Sequence, residues 1–235
     1  AEGEDPEKIA VRYIDGNGNV VPVYSGRYNE EAEMVTFTTG HFSRYAVVYA
    51  DIRFEDTKDY PWAERAIEVL AAKGIVKGIS TTRLIYGPSL NITRADYAAL
   101  LVRTLGLTAE VDSNFDDVSE DDYFYEEVGI AKKLGITNGV GGNRFAPRAE
   151  ITRQEMMTMT ARALKGLGII GATGDVSVLK RFDDGDKVAD YAKESAAVLV
   201  QEGLIVGTGG GKLLSPESKT TRAEMAVLMY RIYNK

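Results

Sequence analysis

One four-residue pattern, Thr-Arg-x-acid, is written three times in this chain: in ITRAD from Ile92, ITRQE from Ile151 and TTRAE from Thr220. The separations are far longer than a helical turn, so the pattern marks a repeated unit and not one amphipathic stretch. Upstream of each copy the same landmarks return. Phe54, Phe115 and Phe182 each open a Phe-acid-Asp triplet, and their spacings of 61 and 67 residues set the period. Paired glycines follow at Gly74 and Gly78, Gly135 and Gly139, Gly203 and Gly207. Trp62, Tyr123 and Tyr191 each stand twelve positions before the first glycine of their pair, and Pro88, Pro147 and Pro216 each stand five before the Thr. A glycine-rich connection, GLGIIGATGDVSVLK, accounts for the longer second period.

Each unit reads as helix, loop, helix. Trp62, Ala66, Val69 and Leu70 recur at helical spacing, and Gly74 supplies the left-handed residue that commonly ends a helix. Stretches such as GVGGNRFAP cannot continue a helix and read as turns. The second helix then starts at a capping box, in which the Thr hydroxyl accepts from the third helical N–H and the acid reaches back to the Thr N–H. Thr93 with Asp96, Thr152 with Glu155 and Thr221 with Glu224 fit that role. Capping does not explain Arg94, Arg153 and Arg222, because the helix macrodipole disfavours a cation at the first position. Two readings stand for them: each Arg pairs with the Asp of a Phe-acid-Asp triplet and ties the unit together, or each awaits an anionic ligand.

The first fifty residues differ in kind. IAVRYIDGNGNVVPVYSGRY and AEMVTFTTGHFSRYAVVYA are rich in β-branched and aromatic residues, and DGNGN is a hairpin turn signal. This reads as the β-rich end of an upstream module or a linker. The expected division is therefore residues 1–50, then repeats over 51–110, 111–178 with its connection, and 179–235.

The combination of Phe-acid-Asp, Gly-hydrophobic-x-x-Gly and Thr-Arg-x-acid in three tandem units resembles the S-layer homology domain, over roughly residues 52–235. The resemblance implies a mainly α fold, three helix-loop-helix repeats in a pseudo-threefold assembly with grooves between neighbours, behind a short β-rich segment. It implies non-covalent anchoring of an exported protein to the cell wall, at the surface of a Gram-positive bacterium. The implied ligand is secondary cell wall polymer, recognised through a pyruvate ketal on N-acetylmannosamine. Its site residues would be Arg94, Arg153 and Arg222 with Asp56, Asp117 and Asp184, the aromatics Trp62, Tyr123 and Tyr191, and Gly78, Gly139 and Gly207. A ketal pyruvate is a compact carboxylate that a guanidinium fork suits, and a helix N-terminus adds N–H groups beside it. Departures from the family pattern, Asp96 for Glu, Gln154 for Ala and Thr220 for an apolar residue, imply unequal grooves.

Composition limits the alternatives. A net charge of -7 without a basic run excludes a nucleic-acid face, and with no cysteine there is no disulfide or thiolate site. No apolar run reaches the roughly 20 residues of a membrane span. Neither a cofactor nor a metal is expected: Asp112, Asn114 and Asp116 imitate the start of an EF-hand loop, but Asp117 and Tyr123 stand where it needs Gly and Glu. The chain is expected not to be an enzyme, with a wall-polysaccharide-acting fragment or a self-assembling lattice module as the alternatives.

Overall fold

Each repeat folds as two helices joined by a glycine-rich turn, in a computed structural model that describes residues 4–235. The first helices are α1 (Pro61–Ala72), α3 (Tyr125–Lys133) and α5 (Asp190–Gln201); the second are α2 (Arg94–Leu105), α4 (Arg153–Gly166) and α6 (Arg222–Tyr233). Pro61 opens α1, where a missing N–H costs nothing. At the other end Gly74 has φ 78°, and the Ile75 N–H returns to the Leu70 carbonyl at 2.9 Å, closing the helix and turning Ile75 into the core. Ile136 N–H to Ala131 O and Leu204 N–H to Leu199 O, both near 3 Å, repeat that ending.

The three units are joined at their centre by a closed ring of backbone hydrogen bonds. Ile92 N–H donates to Thr220 O (2.9 Å), Thr220 N–H to Ile151 O (3.1 Å), and Ile151 N–H to Ile92 O (3.1 Å). These three residues immediately precede the capping threonines and are fully buried. Two of them are isoleucine. The third, Thr220, brings a hydroxyl whose Oγ1 is the one buried side-chain polar atom without a partner among the described residues. An unmet buried hydroxyl costs about 1–3 kcal/mol. Thr220→Val keeps the shape and removes the hydroxyl, so urea unfolding should show a gain of roughly 1 kcal/mol at unchanged m-value. A loss would mean that the hydroxyl finds a partner in solution.

The β-rich start is built into this body. β1 (Ile9–Ile14) lies between β2 (Val20–Val23) and β5 (Arg44–Tyr49), antiparallel to both, with Val11 opposite Val23 and Val47; β3 (Arg27–Asn29) and β4 (Met34–Thr36) form a separate hairpin. Asp15 shapes the β1–β2 turn by accepting from the N–H groups of Asn17 (2.9 Å) and Asn19 (2.7 Å). The sheet grips the first and last helices. Arg12 donates to the Ala72 carbonyl at the C-terminal end of α1 (2.5 Å), where the macrodipole favours a cation. Lys73 reaches the Ile9 carbonyl, and burial pushes its ammonium down to about 8. Lys8 bridges Asp51 and Glu68, both at 2.6 Å. Arg27 lies 3.3 Å over the ring of Tyr233, whose hydroxyl donates to Gly26 O (2.5 Å).

The expectation of a mainly α fold is therefore corrected. About 36% of the residues are helical and about 14% strand, a modestly mixed composition. Two physical causes act together: the β-rich segment pairs into a sheet and a hairpin held to the helices by buried and half-buried cations, and each repeat spends about twenty residues on turns that glycine and proline keep out of helix.

Candidate functional site at the repeat junctions

The Phe-acid-Asp triplet and the glycine of the mid-loop fix the turn that each junction uses. Asp56 accepts from the N–H groups of Tyr86 (2.9 Å) and Gly87 (2.8 Å), one on each carboxylate oxygen. Asp117 does the same for Phe145 (2.7 Å) and Ala146 (2.9 Å), and Asp184 for Leu214 and Ser215 (both 2.8 Å). Burial raises the Asp117 carboxyl, but these N–H donors and nearby Arg144 outweigh it and hold the group below the usual range. Phe54, Phe115 and Phe182 pack so closely on Gly78, Gly139 and Gly207 that a Cβ there would lie 3.0, 2.8 and 2.8 Å from the ring. These six Asp and Gly positions shape the turn, and the carboxylates are already engaged by backbone.

The repeated arginine joins neighbours. Arg94 sends Nε to Phe145 O (2.9 Å) and Nη1 to Glu155 (2.7 Å), both in the second repeat. Arg153 sends Nε to Leu214 O (2.8 Å) and Nη1 to Glu224 (2.9 Å), both in the third. Their exposures are 5% and 6%. The partner is thus the capping acid of the next repeat, not an Asp of a Phe-acid-Asp triplet. One oxygen of Glu155 accepts from Thr152 N–H (2.8 Å) while the other takes Arg94, so a single carboxylate caps its own helix and holds its neighbour. That double use is why Thr, Arg and acid recur as one motif.

The helix N-termini are closed as well. Arg94 N–H donates to Ala149 O (2.9 Å), Arg153 N–H to Ser218 O (2.9 Å) and Arg222 N–H to Leu90 O (2.8 Å), with the next amide of each helix bound to Pro147, Pro216 or Pro88. The expectation of open N–H donors for an anion is corrected: the next repeat's proline turn supplies carbonyls to them.

The junction from the third repeat back to the first is different because Asp96 is one methylene shorter than Glu. Full capping boxes form at Thr152 and Thr221; at Thr93 the hydroxyl caps the Asp96 N–H (3.1 Å), but the carboxylate accepts from that hydroxyl (2.7 Å) and from Tyr123 (2.5 Å). Arg222 turns instead to two carbonyls, Tyr86 O (2.9 Å) and Lys77 O (2.8 Å). Asp96→Glu should complete the box and give Arg222 its carboxylate, raising stability by about 1 kcal/mol in urea unfolding. A net loss would show that the Tyr123 bond outweighs both.

All three aromatics stand out from their helices: Trp62 and Tyr191 are 56% exposed and Tyr123 69%. None of the three is packed into the core. Trp62 and Tyr191 each line a groove with residues of the other two repeats, and Tyr123 reaches Asp96 of the first repeat. One groove, about 370 Å³, combines Arg94, the Thr137–Val140 turn, α4 and Tyr191. A second, about 960 Å³, combines Arg153, the Leu204–Gly210 turn, α6 and Trp62. Gly139 and Gly207 line these two, while Arg222, Gly78 and Tyr123 belong to the third junction, where Tyr123 spans to Asp96.

A second recurring arginine shares these grooves and escaped the sequence reading, although its signal was present nine residues after each Thr-Arg pair. Arg103 is satisfied by Glu127 (2.8 and 2.6 Å), and Arg231 donates to Leu204 O (2.9 Å). Arg162 makes no hydrogen bond or ion pair among the described residues and lines the smaller groove half-buried. Among the described residues no cluster of three or more His, Cys, Asp or Glu could hold a metal, and no helix is long and apolar enough to cross a membrane.

The S-layer homology domain model matches three stretches, residues 53–98, 114–157 and 181–226. An amylopullulanase of Thermoanaerobacterium thermosulfurigenes is 33% identical over all of this chain and 12% of its own length. The exoglucanase XynX of Acetivibrio thermocellus is 34% identical over 80% of this chain and 17% of its own length. A surface-layer 125 kDa protein of Lysinibacillus sphaericus is 30% identical over 72% of this chain and 14% of its own length. The chain thus spans less than a fifth of each relative.

Proposed function

This chain belongs to the S-layer homology domain family, whose members anchor proteins to the cell wall, and from that premise we propose that its grooves bind an acidic sugar of the wall polymer. Its location is the cell surface, in association with the wall. The finer reading is that the acidic sugar is N-acetylmannosamine carrying a pyruvate ketal, on secondary cell wall polymer, and that this contact holds a longer protein in place.

The observation that carries the proposal is the unpartnered Arg162. A half-buried guanidinium in no hydrogen bond or ion pair among the described residues leaves a forked donor facing a cleft of about 370 Å³, whose one carboxylate, Glu155, is taken by Arg94 and Thr152. Arg94 stands in the same wall with its Nε and Nη1 occupied, and Tyr191 offers an exposed ring on which a sugar face can lie. The larger groove repeats the arrangement with Arg153, Arg231 and Trp62. At the third junction Arg103 is neutralised by Glu127 and Tyr123 is bound to Asp96, so two grooves carry the binding. With a net charge of -7 the chain does not attract an anionic polymer at long range, and recognition is local.

Calorimetry with pyruvylated N-acetylmannosamine tests this on Arg162→Gln. Loss of a charge-assisted hydrogen bond of about 1.5–3 kcal/mol should weaken the smaller groove by roughly ten- to a hundredfold, while unfolding stays within about 0.5 kcal/mol of the parent. Unchanged binding at both grooves would remove Arg162, and the proposal with it.

A further inference from the structure

The two open grooves share a framework but differ in size and in the residues added to it. Their volumes, about 960 and 370 Å³, lie near the two ends of the roughly 300–1,000 Å³ usual for small-molecule sites. The difference traces to particular positions. Tyr60 stands two residues before Trp62, where the other repeats have Asp121 before Tyr123 and Ala189 before Tyr191. The Tyr60 and Trp62 rings meet edge to face, with centroids 6.3 Å apart and planes at 61°, and both line the larger groove. That wall therefore presents two ring faces at different angles, where the smaller groove has only Tyr191.

The lining of the larger groove is also extended by charge and hydroxyls. Lys219, three residues after Pro216, lines it and donates to Glu150 O (2.9 Å); the matching residue after Pro147 is Glu150 itself, of opposite charge. Ser218 stands beside it, where the second repeat has Ala149. Thr208 and Ser215, joined through their hydroxyls at 3.0 Å, add donors and acceptors to the same groove. At about 960 Å³ against about 370 Å³, the larger groove has more than twice the room of the smaller, and these added aromatic and polar groups line it.

We infer that the two grooves read different lengths of the polymer: the larger one holds the acidic terminal sugar together with the sugar next to it, and the smaller one holds the terminal sugar alone. This rests on the function proposed above and adds the ligand length to it. Tyr60 and Lys219 are the residues that set the longer site, as specificity-determining positions outside the arginine pair.

Two probes decide it: the methyl glycoside of pyruvylated N-acetylmannosamine, and the disaccharide formed by one further sugar at its reducing end. Titrations use the whole chain and two variants that isolate one groove each, Trp62→Ala for the smaller and Arg162→Gln with Tyr191→Ala for the larger. The disaccharide should bind the larger groove at least tenfold more tightly than the monosaccharide, and the smaller groove with equal affinity. Lys219→Glu, an exposed change, should abolish that tenfold gain while leaving monosaccharide binding within twofold; Tyr60→Ala should act in the same way. Equal affinities for both probes at the larger groove would overturn the inference and leave the proposed function standing. Absence of binding by either probe would overturn both.

Discussion

Gly139→Ala should cost the chain 3 kcal/mol or more, measured as the loss of unfolding free energy in urea. Gly139 sits at φ 74°, where an L-residue with a Cβ is strained by roughly 1–2 kcal/mol. Space adds to conformation. The new Cβ would overlap the Arg144 carbonyl oxygen and stand 2.8 Å from the Phe115 ring. Neither can yield, because Phe115 is buried and stacked on Phe145 with centroids 5.4 Å apart, while Arg144 O accepts from Val140 N–H at 2.7 Å. Overpacking of this kind costs a further 1–3 kcal/mol or so. Gly142 provides the control, since it too has a positive φ, 56°, but nothing lies within 4 Å of its added Cβ. Gly142→Ala should therefore lose only about 1 kcal/mol. Equal losses at the two glycines would show that the close approach at Gly139 relaxes without cost.

Arg153→Ala should lose about 3 kcal/mol, the second largest effect. The guanidinium is buried, and burial lowers its pKa, yet it ties Leu214 O and Glu224 to the second repeat. Removing one partner of a buried pair costs about 3–5 kcal/mol; Glu224 is 25% exposed and regains some water, which places the expectation at the lower end. Arg222→Ala should lose less, about 1 kcal/mol, since Arg222 bonds two carbonyls and no carboxylate. Urea unfolding of the two variants side by side measures the difference. If Arg153→Ala keeps full stability and loses only sugar binding, the arginine acts on the ligand and the tie between repeats carries little energy.

Much of this architecture was legible because it repeats. The register of Phe, glycine, proline and Thr-Arg-x-acid located all six helices, and Gly74, Gly135 and Gly203 marked where the first of each pair ends. What did not follow was the partner of each arginine. A periodic sequence shows which positions matter in a unit but not that Arg94 reaches into the next unit to Glu155, because ring closure is a relation between copies. For the same reason the proline-turn carbonyls that close the helix N-termini were invisible. Arg162 was overlooked because it lies within an apolar helical stretch and reads as its solvated edge. The mixed fold has a different cause: strand propensity over the first fifty residues is legible, but the half-buried Arg12 and Arg27 and the buried Lys73 that fasten the β-rich segment to α1 and α6 have no local signature.

The most direct test of the anchoring mechanism is a calorimetric titration of the whole chain with pyruvylated N-acetylmannosamine, run beside the same sugar without its ketal. Two binding events for the acidic sugar, and none for the neutral one, are expected from two grooves that each hold an arginine in no ion pair among the described residues, Arg162 in one and Arg231 in the other. Equal heats for both sugars, or no heat for either, would contradict recognition of the ketal carboxylate at the repeat junctions.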